Sequence, residues 1–198
     1  MENVFLIVGL GNPGGEYADT RHNAGFRAAE TLAERWRAGW SLEKKFQARV
    51  AKADLGERRV VLCEPQTYMN LSGEAVRAVL GFYRVPVARL LVLVDDADLP
   101  FGEIRLRARG SSGGHHGLDS VAEHVGTTDY ARLKIGIGQR RDGPRQITGF
   151  VLSPFAGEEK KTLGKILARV ADQAECWMAE GVERAMNKFN GVAVPPGS

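Results

Sequence analysis

Residues 90–94 read Leu-Leu-Val-Leu-Val and run directly into Asp95-Asp96. A run this short, wholly apolar and closed by acids makes a strand with no polar face. Such a strand must be covered on both sides, as in a parallel sheet with helices packed on each face. Residues 4–9 (VFLIVG) repeat the pattern and end in glycine. Around these two, segments 46–54, 60–63, 103–109 and 132–138 read as further strands. Segments 21–37, 72–83 and 117–125 have helical spacing, with Asn70 or Ser72 as the N-cap of the second. From 157 to about 188 the chain reads as mostly helical, with Gly164 and Gly181 as weak points. Strands interleaved with helices predict a single α/β domain over residues 1–191. Its sheet is expected to be mixed, mostly parallel and twisted, with flanking helices. Residues 192–198 are expected to form a disordered tail.

Composition removes other classes. No apolar run among the 198 residues approaches the ~20 that a membrane helix requires. Two cysteines, Cys63 and Cys176, cannot build a disulfide framework, and the natural setting is a reducing cytoplasm. The balance of 27 basic against 24 acidic residues permits a polyanionic partner without arguing for one.

Two glycine motifs invite cofactor or nucleophile readings, and neither has its expected context. Gly9-Leu-Gly11-Asn12-Pro13-Gly14 spells GxGxxG after a strand. A dinucleotide site, however, needs that loop to open straight into a helix. Here Pro13 pushes Asn12 out of the α region, and Gly14-Gly15 delays any helix. The loop does set Asn12 at the carboxyl end of a buried strand, where α/β sheets bind ligands. Gly110-Ser111-Ser112-Gly113-Gly114 spells GxSxG, but the strand before it carries a charge at every second position and cannot be a central one.

That charged strand holds Arg105, Arg107 and Arg109 at period two. Its guanidiniums share one face at about 6.6 Å intervals, close to the spacing of successive phosphates. A solvated edge strand accounts for the same pattern. Among the histidines, His115 and His116 are adjacent and in extended backbone point to opposite faces. No metal-binding spacing is present, and a zinc site is not expected. His22 stands out because Asp95 and Asp96 close a buried strand, where a carboxylate can orient a neutral imidazole as base. Simple capping of the turn before Leu99-Pro100 is the alternative.

Five segments, VGLGNPGGEYADTRHNAGF (8–26), PQTYMNLSGEAV (65–76), DDADLPFG (95–102), GSSGGHHGLDSV (110–121) and DYARLKIGIG (129–138), resemble bacterial-type peptidyl-tRNA hydrolases in order and spacing. The resemblance implies hydrolysis of the ester between a peptide and the 3′-terminal ribose of tRNA, by a cofactor-free, metal-free, monomeric cytoplasmic enzyme. By the same resemblance His22 activates water, Asp95 orients His22, and Asn12 and Asn70 hold substrate. Asn12 is also implicated in separating peptidyl from free aminoacyl ends. Tyr17, Tyr68 and Met69 would line the channel, and Arg105, Arg107 and Lys134 would clamp tRNA phosphates. His116 departs from the pattern, standing where the family commonly has an asparagine that binds substrate. A neutral imidazole can still donate one hydrogen bond and accept another. An RNA-binding module that has lost the chemistry is the alternative within the resemblance, and a serine esterase at Ser112 the alternative outside it.

Overall fold

The computed structural model describes residues 3–138 and 144–195. Its strands are β1 (Asn3–Gly9), β2 (Ser41–Glu43), β3 (Ala48–Leu55), β4 (Arg58–Pro65), β5 (Leu90–Asp96), β6 (Glu103–Arg107), β7 (Ala131–Gly136) and β8 (Gly191–Val192). The helices are α1 (Ala24–Arg35), α2 (Ser72–Tyr83), α3 (His116–Val125), α4 (Pro144–Val151), α5 (Gly157–Glu180) and α6 (Val182–Phe189). Among the described residues the strands make one sheet in the order β2-β3-β4-β1-β5-β7-β6-β8. The four central strands β4, β1, β5 and β7 are parallel, and antiparallel strands flank them.

Alternation along the central strands explains the layers. Phe5, Ile7, Leu91, Leu93, Leu133 and Ile135 face one side, where Ala28, Leu32, Ile166 and Val170 of α1 and α5 cover them. Leu6, Val8, Val92 and Val94 face the other, against Val76, Val79, Leu118 and Val121 of α2 and α3. Strands buried on both faces, as residues 90–94 require, thus sit between two helical layers. The expected single-domain α/β fold is the one observed.

Several boundaries differ from expectation for local reasons. Phe46 lies in a short 3-10 turn, and Gln47 adopts a left-handed φ of 50°, so β3 begins only at Ala48. Neither Asn70 nor Ser72 caps α2: a 3-10 turn over Met69–Leu71 feeds the helix, and the Ser72 hydroxyl donates to Met69 O at 2.8 Å. β6 ends at Arg107, which removes Arg109 from its face. Gly181, at φ 90°, separates α5 from α6, whereas Gly164 stays inside α5. Residues 192–195, expected in the tail, belong to the described structure, and 196–198 lie outside the described residues. Val192 pairs with Glu103, and Ala193 N donates to Gly102 O at 2.7 Å, because β6 would otherwise leave an open edge.

Candidate active site

The glycine-rich stretch after β1 serves close packing. A Cβ on Gly9 would lie 2.3 Å from Gly25 O, and one on Gly25 would lie 2.4 Å from Leu93 O. Only glycine at both positions lets the start of α1 press onto the ends of β1 and β5. That packing brings the 3-10 turn Arg21–Asn23 over the carboxyl ends of the parallel strands. Asn23 then ties the turn to the loop, donating from Nδ2 to Asn12 O and accepting from Asn12 N, both at 2.9 Å.

His22 is thereby set beside Asp95 of β5, with His22 Nδ1 2.9 Å from Asp95 Oδ2. The other carboxylate oxygen, Oδ1, lies 2.8 Å from His115 Nε2. His115 is the N-cap of α3, and its Nδ1 accepts from Gly117 N and Leu118 N at 3.1 and 3.4 Å. An accepting Nδ1 puts the His115 proton on Nε2, where it is donated to Asp95. Burial pushes the Asp95 carboxyl up, but the two imidazoles outweigh it and hold the group well below the usual carboxylate range. Burial lowers the His22 pKa, while the charge and hydrogen bond of Asp95 more than compensate and leave it raised above its ordinary value.

These groups open into a cleft of about 790 Å³. Asn12, Tyr68, Met69 and Asn70 line it, together with Ile147, Thr148, Val151 and Leu152 from α4 and the residue after it. Asn12 Oδ1 accepts from Met69 N at 2.8 Å, which fixes the amide so that its NH2 is the group left for the cleft. Tyr68 and Asn70 are exposed at the rim, and Met69 is buried. His116 also borders the cleft with its side chain 81% exposed, so the histidine pair does split to opposite sides. Lys134 lines the cleft and lies 3.6 Å from Asp96. Ser112 lines it as well, but its hydroxyl accepts from Gly114 N at 3.1 Å, and no histidine is bonded to it.

Tyr17 is not brought to the lining. Its backbone closes a turn, donating to Gly14 O and accepting from Thr20, and the side chain is half-buried outside the cleft. Arg105 and Arg107 project from the exposed face of β6, with Arg105 opposite Lys134 in register. The Arg140-Arg141 pair, which would extend this positive face, lies outside the described residues.

Sequence reasoning misses three supports. His115 is not among the expected site residues, and histidine is not a residue type that ordinarily announces an N-cap. Asn23 adjoins His22, but its bonds to the Asn12 backbone, 11 residues away, are not written in the local sequence. Arg132, 1% exposed, carries its charge into the protein and donates to Gly110 O and Thr128 O at 2.7 Å each. It thus holds the loop leading to His115, and no sequence pattern announces such a carbonyl-bound arginine.

His22, Asp95 and His115 each present a ligand atom within 4.8 Å of the others, so the trio has the composition of a metal site. The geometry instead pairs each carboxylate oxygen with a ring nitrogen at hydrogen-bond distance, and His115 Nδ1 is occupied by the helix cap. A cation held by all three would have to break these bonds.

Fold and cleft together define a three-layer α/β protein with a histidine–carboxylate centre suited to activating water. Residues 6–196 match the peptidyl-tRNA hydrolase family. The chain is 50% identical over 188 residues to a peptidyl-tRNA hydrolase of Chloroflexus aggregans, covering 94% of this chain and 99% of that one. It is 45% identical to that of Thermosynechococcus vestitus, covering 96% and 95%. The crystal structure of peptidyl-tRNA hydrolase from Acinetobacter baumannii superposes with a TM-score of 0.90 at 35% identity, over 97% of both chains. The chain belongs to the peptidyl-tRNA hydrolase family.

Proposed function

We propose that this protein cleaves the ester between a peptide and the 3′-terminal ribose of tRNA with a water that His22 deprotonates, without a covalent intermediate or a metal. The observation that carries the reading is the 2.9 Å approach of His22 Nδ1 to Asp95 Oδ2. With Nδ1 donating to the carboxylate, Nε2 is left as the basic nitrogen of a residue lining the cleft. The water oxygen attacks the ester carbon while its proton passes to Nε2, and the carbonyl electrons move to oxygen. Collapse of the tetrahedral species expels the ribose oxygen, which takes the proton back from His22. In this reading the Asn12 NH2 donates to the developing oxyanion, and Asn70, Tyr68, Met69 and His116 hold the peptide and terminal nucleotide. A base in this role contributes ~10²–10⁴-fold, and an oxyanion donor ~10²–10³-fold.

The test offers the purified protein an N-blocked aminoacyl-tRNA in EDTA. Hydrolysis is expected to persist, and His22→Ala is expected to lower kcat by ~10²–10⁴-fold. Activity that EDTA abolishes, or a His22→Ala variant as fast as wild type, defeats the mechanism. Because His22 must be neutral to act, kcat/KM should rise with pH through a midpoint above the ordinary histidine value of about 6.5.

Arg105, Arg107 and Lys134 make the phosphate-binding arm of this reading, as positive groups on one face beside the cleft. Removing two phosphate-binding groups in the Arg105→Ala/Arg107→Ala double variant should raise KM and flatten its log-log salt dependence by about 1.4–1.8. The reading places the protein in the cytoplasm, where its substrate arises, as a monomer. No helix among the described residues is long and apolar enough to cross a membrane.

A further inference from the structure

We infer that Arg21 and Glu159 form a positioning clamp that sets the α4 wall of the cleft, and through it the preference for substrates with an apolar side chain next to the ester; this rests on the hydrolase reading above. Arg21 adjoins the base His22 in the chain and is 8% exposed. Its guanidinium grips Glu159 through two bonds of 2.8 Å, NH1 to Oε2 and NH2 to Oε1. NH1 also donates to Ile137 O and Nε to Ser153 Oγ, both at 3.2 Å. The guanidinium carbon lies 4.8 Å from the ring centre of Phe150 and 5.1 Å from that of Phe155. The backbone joins in, with Arg21 N donating to Ser153 O at 3.0 Å and Thr20 bridging Pro154.

All of these partners except Ile137 fall between residues 150 and 159, the end of α4 and the start of α5. Glu159 completes the link by accepting from Ala156 N at 2.9 Å, which caps α5. A single side chain therefore connects the turn carrying the base to the segment whose Ile147, Val151 and Leu152 give the cleft an apolar stretch of lining. A partly buried ion pair contributes little net stability, because desolvation and solvent screening offset its attraction. What a bidentate fork does supply is a fixed distance and angle. The clamp touches no reacting atom, so it acts on binding through the wall. The His22–Asp95 bond, built separately by β5 and Asn23, does not depend on it.

The experiment compares steady-state hydrolysis of N-acetyl-leucyl-tRNA and N-acetyl-glycyl-tRNA by wild type, Arg21→Lys, Glu159→Gln and the double variant. KM for the leucyl ester is expected to rise about tenfold in each single variant, the size of effect an apolar pocket exerts on a side chain. KM for the glycyl ester should change by less than about threefold. The kcat values and the acid limb of the pH profile should stay as in wild type, and the double variant should be no worse than the worse single one. Equal effects on both esters, a fall in kcat at constant KM, or a lowered Tm with unchanged kinetics would each overturn the clamp. If Arg21→Lys does not fold, Glu159→Gln decides alone, since it keeps the arginine and one accepting oxygen. A wild-type protein that cleaves neither ester defeats the hydrolase reading and the clamp with it. Unchanged KM values beside an active wild type defeat the clamp only.

Discussion

Two buried carboxylates sit near the ends of the strands on either side of β1, and they meet opposite fates. Asp95 on β5 is 3% exposed and Glu64 on β4 is 0% exposed. Both oxygens of Asp95 are bonded to imidazole nitrogens, and the group stays ionised well below the usual range. Glu64 has one oxygen 2.9 Å from Arg49 NH1, while its Oε1 has no hydrogen-bond partner among the described residues. Burial and the nearby Glu30 charge push Glu64 up to about 8, against the pull of Arg49. The short Arg49 bond and the raised pKa pull in opposite directions. The raised pKa prevails because Arg49 is 37% exposed, where water screens it, and also lies 3.7 Å from Glu30. Burial is common to the two sites, so it cannot be what decides ionisation. The number of donors that reach each carboxylate, and the charges beside them, decide it.

The comparison can be broken most sharply at Asp95. Asp95→Asn removes the charge that orients His22 and stabilises its protonated form, and kcat/KM should fall by ~10²–10⁴-fold. The residual activity should titrate at lower pH than wild type, since the group that raises the His22 pKa is gone. A variant with the wild-type pH midpoint would show that Asp95 does not set it. A smaller loss is expected from His115→Ala, which leaves one Asp95 oxygen unsatisfied while His22 keeps its bond. Supporting residues of this kind cost ~10–100-fold, read in kcat/KM. Loss of the α3 cap should also lower stability by ~1 kcal/mol in denaturant titration.

Glu64 should show the reverse profile, a pH effect on stability with none on catalysis. Its folded pKa lies above its unfolded value of about 4.5, so the fold favours the protonated carboxyl. That contribution is full below about 4.5 and is lost as pH rises through about 8. Wild-type stability should therefore drop relative to Glu64→Gln by up to about 1.4 kcal/mol per pH unit across that window. Parallel curves for the two proteins would mean Glu64 is ionised like Asp95. His116→Asn should have the smallest effect, a change in KM of about two- to threefold, as for an exposed side chain without a buried partner. A larger change would mean that the imidazole holds substrate in a way the asparagine amide cannot replace.

Much of the fold is readable in the sequence because burial on both faces leaves a plain mark on a strand. The runs at 4–9 and 90–94 demand two covering layers, and α2 occupies the expected Ser72–Tyr83. The break at Gly181 is also legible, since glycine is the residue that tolerates its φ of 90°. At the site, Asn12 and Asp95 can be located because their motifs end strands that have to be central, whereas the role of His22 comes from the family resemblance. Tyr17 cannot be placed, since a turn of hydrogen-bonded backbone decides where its side chain goes. His115 escapes because alternation states that neighbours diverge without stating which of them turns inward.

The sequence by itself determined the layered α/β fold, the carboxyl-end location of the site and the family, since these follow from local periodicity and from motifs written in consecutive residues. Only the tertiary structure decided that Asp95 serves two histidines, that Glu64 has no second donor among the described residues, and that Arg21 grips Glu159 across 138 positions of chain. Those are pairings between residues far apart in sequence, fixed when helices dock on the sheet, and no spacing rule within one segment encodes them.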